Sequence, residues 1–173
     1  MATHISRLVK FCWGAGLLAL LLLAWSAPLG AMESPGADAE ALWKYINQDP
    51  GFRKWGAWPE FAKLRRSYSP FGYFVRIYVN NVAQQAKGSP LPEGSIIVRE
   101  GYGMNTNTYA PTGEIIAYTV MYKVKGFNPK GNDWFWAHFT GTGKVVQSGV
   151  VDQCIKCHFS SRDNDYVVDH KLR

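Results

Sequence analysis

Hydrophobic and polar positions along this chain change period several times, and each change marks an element. An almost unbroken apolar run, Phe11 to Trp25, follows the basic residues Arg7 and Lys10. After a lead-in containing Pro and Gly, Ala39 to Asn47 carries Leu42, Tyr45 and Ile46 at the spacing of one helix face. Asp49-Pro50-Gly51 ends that helix, because Pro offers no N–H to the ladder and Gly permits the turn. An aromatic segment around Trp55, Trp58 and Phe61 leads into a further short helix, with Lys63 to Arg66 as its charged side. The period then drops to two. Tyr73 to Val79 alternates, with Tyr73, Val75, Ile77 and Val79 on one face and Phe74, Arg76 and Tyr78 on the other.

Asn80 can cap a short helix over Asn81 to Lys87, and Gly88 to Gly94 is a Pro-rich loop. Ser95 to Glu100 is the second strand, with Ile97 and Arg99 facing away from Ile96, Val98 and Glu100. Gly101 to Gly113, rich in Gly, Asn and Thr, is expected to be a loop. Glu114 to Lys125 is a long third strand. Asp133 to Phe139 is a fourth, apolar on both faces and therefore central. Gly141-Thr142-Gly143 turns the chain into a fifth, Lys144 to Ser148. The order predicts an α+β fold, mostly antiparallel β-sheet with short helices, ending in a C-terminal segment of another kind.

That segment is Cys154-Ile155-Lys156-Cys157-His158, the pattern of a c-type haem attachment site. Each thiol can add to one haem vinyl group as a thioether, and the adjacent His offers a neutral imidazole nitrogen to the iron. The expected cofactor is one covalent haem c per chain, held by Cys154, Cys157 and His158, with His158 as the metal ligand. A disulfide, a thioredoxin-like redox pair and a metal site, for which other ligands are lacking, are the alternatives. A thioredoxin-like pair normally opens a helix after the first strand of an α/β fold, and no βαβ pattern precedes this one.

Charge and composition narrow the setting. The 173 residues are enough for one domain plus an export segment, and 47% hydrophobic with 14% aromatic residues describes a globular chain. The aromatic residues suit a haem pocket or a β-rich core equally. The net charge is +6, but the basic residues are scattered and form no nucleic-acid stripe. Residues 1–31 have a secretory signal layout: a basic start, an apolar run shorter than the roughly 20 residues of a bilayer span, and small residues before Met32. An uncleaved anchor is the alternative. Cleavage leaves one domain, 32–173, with a charge of about +4 and only two cysteines. Export to the periplasm suits covalent haem attachment, and a mildly basic protein there could dock an acidic redox partner.

A haem motif placed behind a β-sheet matches neither the ordinary electron-carrier cytochromes nor the helical cytochromes c-prime. The chain instead resembles the cytochrome P-460 family, which includes the β-sheet cytochromes c′-beta. The resemblance rests on Leu42-Trp43-Lys44-Tyr45-Ile46, on Pro70-Phe71-Gly72 before Val75-Arg76-Ile77-Tyr78-Val79-Asn80, and on Gly94-Ser95-Ile96-Ile97-Val98-Arg99-Glu100. It continues through Val120-Met121-Tyr122-Lys123-Val124, Asp133-Trp134-Phe135-Trp136-Ala137, the Cys154 to His158 motif and Asp163-Asn164-Asp165-Tyr166-Val167. It implies a periplasmic c-type haem protein, often a homodimer, with His below the iron and an open distal position. One branch oxidises hydroxylamine and carries a covalent bond from a Lys to the haem ring. The other lacks that bond and binds nitric oxide or carbon monoxide under a Phe-lined cap.

The chain departs from the first branch where the cross-linking Lys is expected, because it carries Arg99 there. A guanidinium stays protonated and is a poor nucleophile, so an Arg99–haem bond is chemically disfavoured. Lys63 and Lys87 are the other candidates, and no spacing supports either. Arg99 is expected to face the haem, pairing with a propionate or a distal ligand. Phe71 is a candidate distal cap, and Arg76 with Tyr78 could supply polar distal groups or lie on an exposed sheet face. His138 is a candidate second ligand or a structural residue. Met121 and Met104 are the remaining sixth-ligand candidates, and a Met ligand would make the protein a six-coordinate electron carrier without a substrate site. The expected partners are a small nitrogen-oxide or gas ligand and a soluble redox protein such as another cytochrome c.

Overall fold

The computed structural model describes residues 34–168 and 170–172. The expected signal segment, 1–31, lies outside the described residues. Among the described residues, no helix is long and apolar enough to cross a membrane.

Six strands form one sheet: β1 (Arg65–Arg66), β2 (Phe74–Val79), β3 (Ile96–Met104), β4 (Pro111–Lys123), β5 (Trp134–Thr140) and β6 (Val145–Gly149). Each pairs antiparallel with its neighbour in sequence, so the sheet is a meander. The expected α+β architecture holds. Three expectations change. Arg65 and Arg66 do not lie on a helix; they pair with Val75 and Phe74 as a short edge strand after a single 3₁₀ turn, Pro59–Phe61. The expected loop 101–113 is largely strand, because β3 runs to Met104 and β4 begins at Pro111. Pro111 to Glu114 are all exposed, so that arm of the hairpin carries no alternation to read. The expected helix 81–87 is shorter, α2 (Asn81–Gln84), with the Asn80 side chain accepting from Ala83 N–H as its cap.

The alternation gives the sheet two buried faces. One packs against α1 (Ala39–Ile46), whose Leu42 and Ile46 lie one helical turn apart and are fully buried beside Val98, Tyr118, Val120 and Phe135. Asp38 caps α1 by accepting Ala41 N–H at 2.7 Å. This face also buries Glu100, 1% exposed, against Arg53 Nε at 2.8 Å, with Tyr78 and Tyr102 hydroxyls donating to the same carboxylate. Burial, with that carboxylate, pushes the Tyr102 hydroxyl upward, so it remains a donor. The other face carries Val79, Ile97, Met121, Trp134 and Trp136, and the C-terminal segment covers it.

Candidate functional site

The C-terminal segment meets the sheet as α3 (Asp152–His158), followed by a 3₁₀ stretch, Phe159–Asn164. Between this segment, the stretch from Trp58 to Phe71 and the sheet lies a cavity of about 580 Å³. Cys154, Cys157 and His158 all line it. The two cysteines are three apart, so one turn of helix sets them on the same side. The structure does not join them as a disulfide. Cys154 is buried and its thiol is pushed up to about 11, while Cys157 is exposed. Among the described residues, no group of three His, Cys, Asp or Glu side chains could hold a metal ion by itself.

His158 ends α3 with its ring edge against Trp136, centroids 4.9 Å apart. Burial pushes its pKa down, the Tyr166 carbonyl acts against this, and the charge on Arg99 lowers it further. The ring is therefore neutral near pH 7. His158 Nδ1 lies 2.7 Å from the Tyr166 carbonyl oxygen. A carbonyl can only accept, so Nδ1 carries the proton and Nε2 keeps a lone pair. Val167, from the same tail, also lines the cavity, and Tyr166 is buried beside Trp136.

Arg99 faces this cavity from β3, as expected, and Glu100 turns to the opposite face. Nη1 donates to the Phe71 carbonyl at 3.0 Å, and Nη2 donates to Ser67 Oγ at 2.9 Å and to the Gly72 carbonyl at 3.4 Å. Those partners are neutral, and among the described residues no carboxylate pairs with the guanidinium. Burial pushes its pKa down to about 10, so it stays charged at neutral pH. Two glycines permit this approach. A Cβ on Gly101 would collide with the Phe71 carbonyl oxygen, and Gly72 sits at φ 132° directly against Gly101.

Phe71 lines the cavity, its ring centroid 4.6 Å from that of His138. His138 is not among the lining residues, and burial pushes its pKa down, so it supports Phe71 as a neutral ring. Arg76 is a correction. It is exposed on the opposite sheet face, beside Tyr78, because it alternates with the cavity-facing Val75 and Ile77. Met121 lines the cavity from β4, whereas Met104 does not. No lysine is among the lining residues, so neither Lys63 nor Lys87 reaches it. Sequence reading missed Trp136, Thr119 and Ser67 as cavity residues. Thr119 pairs in register with Arg99, a signal that becomes readable only once strand pairing is known.

A family model described as cytochrome P460 matches residues 50–169, well over half of the chain. The chain belongs to the cytochrome P460 family. Cytochromes P460 carry covalently attached haem c, and the cavity residues fit that group. Two thiols share one helix side, an imidazole nitrogen is free, and the half-buried Arg99 lacks an anionic partner among the described residues. The Trp136 indole N–H is also buried without a hydrogen-bond partner, so the cavity wall retains unused donor capacity. Searching curated proteins returns no match for this P460 chain.

Proposed function

We propose that this cytochrome P460 is an exported, periplasmic haem protein that binds, oxidises or reduces a small nitrogen species such as nitric oxide or hydroxylamine. In this reading Cys154 and Cys157 would form the thioethers, and His158 Nε2 would hold the iron, with room left in the cavity for a small ligand. The observation that carries the open-site reading is Arg99, a half-buried cation with only neutral partners beside the same cavity as His158. Haem, when bound, supplies one-electron chemistry and an axial position for a small ligand. Arg99 holds positive charge toward the electronegative end of that ligand, and Phe71 with Val75 and Ile77 keeps bulk water away. With no lysine lining the cavity, the reading favours a haem without a Lys cross-link. Electrons pass to a soluble c-type cytochrome, and exposed Arg65 and Arg66 on the cavity rim suit an acidic partner. The protein works as a homodimer, as the resemblance implies.

The carrier alternative keeps one specific support, because buried Met121 lines the same cavity as His158. Ligand binding separates the two. The reduced protein is expected to bind nitric oxide, and its alkaline pyridine spectrum should be that of an ordinary two-thioether haem, without the red-shifted band of a Lys cross-link. Replacing Arg99 by Leu should weaken nitrite binding to the oxidised protein by roughly tenfold or more, the weight of one charge-assisted hydrogen bond. Equal nitrite affinity in the two proteins would remove Arg99 from the ligand's side of the haem.

A further inference from the structure

The turn that supplies the hydrogen-bond partner of His158 is itself held by a buried ion pair. Val167 N–H donates to the Asn164 carbonyl at 3.0 Å, and the two residues between them, Asp165 and Tyr166, sit at φ 56° and 61°. This is the arrangement of a type I′ turn, whose central places usually go to Gly, Asn or Asp. A Tyr there costs about 1–2 kcal/mol, so surrounding contacts must hold it.

Asp165 provides them. It is 1% exposed, and both carboxylate oxygens are engaged. Lys123 Nζ lies 2.6 Å from Oδ1, Asn132 Nδ2 donates to Oδ1 at 2.9 Å, and Leu91 N–H donates to Oδ2 at 2.7 Å. The Asp165 carbonyl accepts Trp134 Nε1–H at 2.8 Å. The next carbonyl along, that of Tyr166, accepts His158 Nδ1–H. Lys123 reaches Asp165 from the same sheet face that lines the cavity, and its Nζ lies 4.6 Å from the Trp134 ring centroid.

We propose that the Lys123–Asp165 pair is a positioning device for His158. By fixing the turn it aims the Tyr166 carbonyl at Nδ1, and so sets how strongly Nε2 donates. Neither residue touches the ligating nitrogen; both act through the turn. The inference rests on His158 being the iron ligand. A hydrogen bond from Nδ1–H raises the basicity of the opposite nitrogen, which favours the oxidised metal. Loosening that bond weakens the donor and raises the reduction potential.

The test uses the full haem-loaded protein and reads the iron–histidine stretch of the reduced form together with the reduction potential. In Asp165→Asn the haem should remain covalently attached, the stretch should fall in frequency and the potential should rise. That variant leaves Lys123 buried without its partner and can unfold, so Lys123→Met/Asp165→Asn, which removes both charges, is measured beside it. Asn132→Gly removes a single donor at φ 54°, where Gly is at ease, and should shift both readouts less in the same direction. A stretch and potential equal to those of the unmodified protein in the folded variants, even with a lowered denaturation midpoint, would overturn the positioning role. An iron–histidine stretch that His158→Ala leaves unchanged would instead overturn His158 as ligand.

Discussion

Replacing both Cys154 and Cys157 by Ser is expected to convert a haem that survives acidified-acetone extraction into one that is extracted completely. A thiol adds to a vinyl group far more readily than an alcohol does, because sulfur is the stronger nucleophile at neutral pH. Serine keeps the size and the helical position of each side chain, so His158 and the cavity wall should stay in place. The double variant should therefore still take up haem reversibly, in the manner of a non-covalent site. Each single variant retains one thioether and should keep its haem through extraction. The burial difference between buried Cys154 and exposed Cys157 has a further consequence. Alkylation of the haem-free chain should modify Cys157 first. Covalent haem retained in the double variant would move the attachment site away from α3 altogether.

Trp134→Ala is expected to destabilise the fold by about 3–5 kcal/mol, a large part of the ~5–15 kcal/mol available to a domain. Trp134 is the largest fully buried side chain of the sheet face that carries the cavity. Its loss leaves a void, strands the Asp165 carbonyl without its indole donor and strips the Lys123 ammonium of the ring beside it. Sheet and C-terminal tail are joined at this ring, so loss of order should extend to His158. Trp134→Phe keeps most of the volume but not the N–H, and should cost about 1–2 kcal/mol. Urea denaturation followed by circular dichroism gives both values. A cost below about 1 kcal/mol for the Ala variant would show that the ring is not a joint between the two parts.

Much of this fold is legible in the chain because burial on two faces leaves a two-residue rhythm. Val75, Ile77 and Val79 alternate against Phe74 and Tyr78, and the structure places Val75, Ile77 and Val79 on the cavity side and Tyr78 in the layer against α1. The same rhythm separates Arg99 from Glu100, the former toward the cavity and the latter into the Arg53 and tyrosine network. It also assigned Arg76 to the face opposite Val75 and Ile77, but alternation alone cannot say which face holds the cavity. Once α3 covers the Val75 side, Arg76 falls on the wrong one.

The remainder was hidden for physical reasons. Arg65 and Arg66 form a strand too short to have a period, and Pro111 to Glu114 are exposed on both sides. Lys123 and Asp165 lie 42 residues apart and look like two ordinary surface charges until the tail folds back. Ser67 reaches Arg99 across a similar gap, from an irregular segment with no pattern of its own. The Cys154 to His158 motif needed no such context, since its three functional side chains lie within one stretch of helix.

Carbon monoxide added to the reduced, haem-loaded protein tests most directly whether His158 holds an iron whose other side is open. Rapid saturating binding, with a sharpened and shifted Soret band, is the expected result, and Met121→Leu should leave it unchanged. A spectrum that does not respond to carbon monoxide, but begins to respond in Met121→Leu, would contradict the open site and make the protein a six-coordinate carrier.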